Sequence, residues 1–146
     1  MDNNLLVTHS LTRRFNGFIA VDSINLEIRR GEIFGFLGPN GAGKSTTINM
    51  LCGLLKPTSG EVTYLGKNFK NNNQLRNIIG LCPQENIIWP DLTPLEQLQY
   101  MGVMYGQPAA DARKYATQLL NEMGLFEKRN SLASKLSGGM KRRLNI

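Results

Sequence analysis

Three observations predict an α/β fold with a separate helical portion. A glycine-rich stretch, Gly38-Pro39-Asn40-Gly41-Ala42-Gly43-Lys44-Ser45-Thr46, follows the apolar run at 33–37 and precedes a helix-forming segment at 47–51. Residues 1–84 carry short, partly alternating apolar runs separated by turn residues, the pattern of strands. Residues 93–130 instead space their apolar side chains as helices do. At 146 residues, 41% hydrophobic and 19% charged, the chain is long and apolar enough to fold around a core.

In chain order, residues 5–11 and 19–28 read as two strands joined through Asn16-Gly17, a hairpin turn signal. Phe15 and Phe18 flank that turn. Spacing alone favours packing, with one ring beneath the hairpin and the other exposed as a flat face. Arg29-Arg30-Gly31-Glu32 turns the chain into the run at 33–37, which reads as a buried strand. The glycine-rich stretch follows, and then a helix to about Cys52, with Gly53 as its stop.

Strand, glycine-rich loop, Lys-Ser and helix together form the context of a phosphate-binding loop. Glycines let successive N–H groups turn inward as an anion nest, and the positive end of the helix adds to that field. Lys44 would put its charge on the β- and γ-phosphates of a nucleoside triphosphate, and the Ser45 hydroxyl would hold Mg²⁺. A ligand-free glycine turn is the alternative, and the flanking elements argue against it.

Beyond this loop, Lys56-Pro57-Thr58-Ser59-Gly60 reads as a loop, residues 61–65 as a short strand and Gly66-Lys67-Asn68 as a turn. A polar tract, Asn71-Asn72-Asn73, and a short helix at 74–77 come next. Residues 78–82 read as a buried strand closing at Pro83-Gln84. Thr93-Pro94-Leu95-Glu96 combines an N-cap, a proline in the first turn and a capping-box glutamate. The helix it opens carries Leu95, Leu98, Met101 and Tyr105 on one side, and Gln107-Pro108 breaks it. A second helix over 111–123 spaces Ala112, Tyr115, Ala116, Leu119, Leu120 and Met123 helically, with Gly124 as its stop. Residues 1–84 are thus a strand-rich core, 85–135 a hinge and helical subdomain, and 136–146 the start of a further helix. Ser137 looks like its N-cap, and paired glycines in a first turn cost about 1 kcal/mol each against alanine. Such a cost suggests that the backbone approaches something closely, although Ser-Gly-Gly alone is a loop signal.

Composition limits the other readings. Seventeen basic residues against eleven acidic give a net charge of +6, but the charges are scattered and lack interleaved aromatics, so nucleic acid is not expected. Cys52 and Cys82 have no metal-ligand spacing and read as small core residues, and the single histidine, His9, offers no catalytic dyad. No apolar run reaches the roughly 20 residues of a membrane span, and the N-terminus lacks a signal-peptide pattern. A cytoplasmic location is the expectation, peripheral to the membrane through any membrane-bound partner.

The order of these motifs resembles the nucleotide-binding domain of ATP-binding cassette (ABC) transporters. Gly38 to Thr46 matches the family's Walker A loop, Gln84 its Q-loop glutamine, and Leu136-Ser137-Gly138-Gly139-Met140 its signature motif. Phe15 matches the aromatic position that stacks on adenine, which reverses the expectation from spacing. The resemblance implies a P-loop NTPase core with an antiparallel β subdomain and an α-helical subdomain. It implies ATP and Mg²⁺ as ligands, bound by Phe15, by the loop residues Gly38, Asn40, Gly41, Ala42, Gly43, Lys44, Ser45 and Thr46, and by Ser137, Gly138 and Gly139 of a partner copy. Gln84 would join Ser45 at the Mg²⁺ and help place the attacking water. A second such domain, head to tail, and transmembrane transporter subunits are the implied partners.

Met140 followed by Lys-Arg-Arg is similar to drug and lipid exporters of the ABC-2 type. The family's Walker B aspartate, catalytic glutamate, D-loop and switch histidine have no counterpart up to Ile146. Truncation before Walker B, slow or absent ATP hydrolysis by these residues alone and marginal stability are therefore the expectations. A non-hydrolysing remnant and a soluble ABC ATPase outside transport are the alternative readings, with a small-molecule kinase a remote one.

Overall fold

The computed structural model describes residues 3–68, 74–75 and 78–146. It divides into two compact units, one ending at Leu81 and the other beginning at Cys82.

The first unit is built on a three-stranded antiparallel sheet. Strands β1 (Asn4–Phe15) and β2 (Phe18–Arg29) form a long hairpin, and β3 (Ser59–Tyr64) pairs with the other edge of β1, giving the order β2-β1-β3. The hairpin turn is Asn16-Gly17, both with positive φ as a two-residue turn of this kind requires. Mid-strand the pairing shifts twice, first by an extra residue of β1 and then by an extra residue of β2, and side chains take up the displaced backbone groups. Ser10 N donates to Asn25 Oδ1 at 2.8 Å, and Ser23 N donates to Thr12 Oγ1 at 3.0 Å. Buried Thr8 accepts from Leu26 N and donates to Ile24 O, so its hydroxyl spans the irregularity.

Helix α1 (Lys44–Leu51) packs Met50 and Leu51 into a core with Leu6, Leu11, Val21, Tyr64 and Leu75. The Tyr64 hydroxyl donates to Leu51 O in the last turn of α1, and burial first, then Cys52, pushes its ionisation above the usual tyrosine range. Burial likewise raises the Cys52 thiol.

Several expected elements take a different form. Residues 33–37 are not a buried strand: they form no ladder, Ile33 and Leu37 are almost fully exposed, and only Phe36 packs partly on the core. Residues 78–82 form no strand either, with Ile78, Leu81 and Cys82 exposed. A strand needs a hydrogen-bonding neighbour, and among the described residues neither run has one. Cys82 is therefore no core residue, whereas Cys52 is half-buried. Ser59 and Gly60, read as loop, begin β3 because β1 pairs with them. The tract Asn71-Asn72-Asn73 and the end of the expected helix at 74–77 lie outside the described residues.

The second unit holds α2 (Pro94–Met104), α3 (Ala109–Glu122) and α4 (Gly138–Asn145). Its core joins Leu95, Ala116, Leu120, Leu125, Ala133, Leu136 and Leu144. The apolar stripe of α2 ends sooner than its spacing implied, since Met101 and Tyr105 are exposed. On α3, Ala112, Ala116 and Leu120 are buried, whereas Tyr115 and Leu119 face outward. Among the described residues, no helix is long and apolar enough to cross a membrane.

The capping box at the start of α2 is complete. Glu96 N donates to Thr93 Oγ1 at 3.2 Å, and Thr93 N and Oγ1 both donate to Glu96 Oε2 at 2.8 Å. The backbone bond, then the hydroxyl, hold the Glu96 carboxyl below its ordinary value of 4.5. A lowered carboxylate contributes stability above its unfolded pKa and loses it as pH falls through the folded one. Thr93→Ala is expected to cost about 1 kcal/mol at neutral pH. Urea unfolding at pH 7 and pH 3 checks this: the cost should shrink at the lower pH.

Candidate functional site

In the first unit, the loop at 38–46 has the curl that its glycines permit. Gly38, Gly41 and Gly43 all take positive φ, and α1 begins at Lys44 directly after left-handed Gly43. Gly43 also lies flat against the hairpin: a β-carbon there would come within 2.3 Å of Ala20 O and 3.2 Å of Val21 Cγ2. The hairpin thus sets where the loop ends and the helix starts. Lys44 Nζ reaches back to donate to Gly38 O and Pro39 O, both at 2.7 Å. This holds the ammonium across the loop, where an arriving phosphate would compete for it. Asn40, Gly41, Ala42 and Ser45 are exposed and Thr46 half-buried. Gly41 has nothing within 4 Å of an added β-carbon, so the loop's outer side is open.

Phe15 and Phe18 stand at the hairpin's tip, and both are exposed, 40% and 66%. Neither packs beneath the hairpin, contrary to the expectation from spacing. The Arg13 guanidinium lies 4.4 Å from the centre of the Phe15 ring and donates from Nη1 to Lys56 O at 2.8 Å. The sequence reading missed this pair. Positions i and i+2 of a strand share a face, so the signal was there in Arg13 and Phe15.

In the second unit, Gln84 is exposed in a bend. The helix opened by Ser137 holds the backbone around it. Arg142 Nη1 donates to Pro83 O at 2.6 Å, and Ile87 N donates to Asn145 Oδ1 at 2.8 Å. These two residues were also missed; polar side chains one turn apart late in α4 were the only hint. Ser137 is the N-cap of α4, accepting from Met140 N at 3.3 Å. Gly138 and Gly139 are exposed with open space around them, so within this unit nothing packs on that backbone. Met140 packs on the helical core, which gives an apolar residue at this position a physical reason. Among the described residues, no cluster of three or more His, Cys, Asp or Glu could hold a metal ion.

The sequence profile of the ABC transporter family matches residues 21–146, a span that includes the glycine-rich loop at 38–46. The chain belongs to the ABC transporter family. The linearmycin resistance ATP-binding protein LnrL of Bacillus subtilis (strain 168) is 40% identical over 97% of this chain and 46% of its own length. The Nod factor export ATP-binding protein I of Ralstonia nicotianae (strain ATCC BAA-1114 / GMI1000) is 38% identical over 97% of this chain and 44% of its own. Among solved structures, cbiO1 from Clostridium perfringens, part of the ABC transporter complex cbiONQ, superposes with a TM-score of 0.87 at 28% identity. That superposition covers 99% of this chain and 60% of the solved one. The chain thus spans less than half the length of these two curated relatives. An ABC ATPase fold, with antiparallel sheet and helical subdomain, is what the two units represent.

Proposed function

We propose that this chain is the ATP-binding part of an ABC transporter that couples ATP binding and hydrolysis to export through separate membrane subunits. The observation that carries the reading is the Walker A loop, where three positive-φ glycines, an open outer side and a lysine tethered to loop carbonyls converge on the start of α1. Such a loop fits a triphosphate: Lys44 exchanges two carbonyl partners for phosphate oxygens, and the start of α1 faces negative charge. Ser45 would offer its hydroxyl to Mg²⁺, and Gly38, Asn40, Gly41, Ala42, Gly43 and Thr46 would surround the phosphates. Bound Mg²⁺ would neutralise charge on the phosphates, and Gln84 would serve as the Q-loop glutamine. Phe15 would carry the adenine.

The open backbone at Ser137, Gly138 and Gly139 suits the other half of the arrangement. There the start of α4 would face the nucleotide held by a second copy in a head-to-tail pair. Export as the direction of transport is supported by the Met140-Lys141-Arg142-Arg143 pattern and by the name of the Nod factor export relative.

Calorimetric titration with MgATP tests the reading. Lys44→Ala should weaken binding about tenfold, the worth of one charge-assisted hydrogen bond set against water. Equal affinity in the two proteins would overturn it.

A further inference from the structure

We propose that Arg13 is a positioning residue for the nucleotide base, acting through Phe15. The inference deepens the reading of Phe15 as the stacking ring and rests on it. The Arg13 guanidinium lies over one face of that ring at 4.4 Å, while the ring stays 40% exposed. A base can therefore stack only on the face opposite the guanidinium.

The guanidinium is itself held in place. Its Nη1 donates to Lys56 O, and the neighbouring backbone is stitched to the same loop. Arg14 N donates to Thr58 Oγ1 at 3.0 Å, and Thr58 N donates to Thr12 O at 2.9 Å. Arg13 Nε is buried, with no hydrogen-bond partner among the described residues.

Three consequences follow for a ligand. The ring is ordered before the base arrives, which removes part of the entropy cost of binding. A cation on one face draws electron density from the ring and favours a π-rich purine on the other. The tip of the hairpin is also fixed relative to the Walker A loop, because Gly43 rests on Ala20 of the same hairpin. Arg13 thereby links the height of the base to the position of the phosphates.

The test compares MgATP with magnesium tripolyphosphate, which lacks the base, by calorimetry on this chain and its Arg13→Gln, Arg13→Lys, Phe15→Ala and Arg13→Gln/Phe15→Ala variants. Arg13→Gln should weaken MgATP binding roughly two- to fivefold. It should leave tripolyphosphate binding unchanged and add nothing once Phe15 is gone. Arg13→Lys, which keeps the cation, should recover most of the loss. Parallel losses for both ligands, or additive effects in the double variant, would overturn the inference. A loss in Phe15→Ala with none in Arg13→Gln would overturn Arg13's role alone. An unchanged Phe15→Ala, or no MgATP binding by the unsubstituted chain, would overturn the stacking reading together with it.

Discussion

Gly43→Ala should abolish MgATP binding and destabilise the first unit by roughly 3 kcal/mol or more. Two costs meet at this position. Its φ of 82° lies in the left-handed region, which alanine occupies at a penalty. The added methyl would then sit 2.3 Å from the carbonyl oxygen of Ala20, a strand backbone atom that cannot swing aside as a side-chain tip can. Either the hairpin or the start of α1 must move, and both shape the phosphate loop. Gly41→Ala is the matched control. Gly41 has nearly the same φ, 84°, but nothing within 4 Å of the new methyl. It should cost the first unit only about 1 kcal/mol. Urea unfolding of the two variants separates backbone strain from collision, and MgATP calorimetry checks the loss of binding in Gly43→Ala. Equal losses in both would refute the view that the hairpin sets the loop's end.

The same loop shows how far the sequence could be read. Walker A was legible because its chemistry is local: glycine conformations, a lysine and a helix start all lie within nine residues. The caps were legible for the same reason. Thr93 with Glu96, and Ser137 with Met140 N, satisfy backbone donors within one turn of chain. The apolar runs at 33–37 and 78–82 were misread because apolarity encodes a tendency to be buried, whereas a strand requires a partner. Phe36 meets the core and Phe34 meets Phe36 edge-on at 5.3 Å, yet Ile33 is wholly exposed in the same stretch. Contacts over long sequence separations stayed hidden for a related reason. Arg142 reaches Pro83 across 59 residues and Arg13 reaches Lys56 across 43, and no local pattern specifies either. One unit carries the phosphate loop and Phe15, while in the other α4, which begins at the signature, holds the backbone beside Gln84.

Gly60→Ala should produce the second large effect, about 3 kcal/mol lost from the first unit, although Gly60 touches no site residue. Between the pairs His9–Glu61 and Thr12–Ser59, two residues of β1, Ser10 and Leu11, oppose the single residue Gly60. Ser10 bulges with φ of 46°, and this drives its carbonyl toward Gly60. A β-carbon there would meet Ser10 O at 2.3 Å and His9 O at 2.5 Å, so only hydrogen fits. The strain would travel along β1, because the same bulge brings Ser10 N to Asn25 and the next one brings Ser23 N to Thr12. Hydrogen exchange should therefore show lost protection in β3 and around the two bulges of the hairpin, with the amides of α3 unchanged. Loss of the bulge's geometry should also reach the hairpin tip, since Thr12 O holds Thr58 N two residues before Gly60. MgATP binding should then weaken although the phosphate loop itself is untouched. Stability within about 1 kcal/mol of the unsubstituted chain would mean that the bulge relaxes around the methyl. In that event the tip that carries Phe15 would depend on the Arg13 tether more than on the sheet.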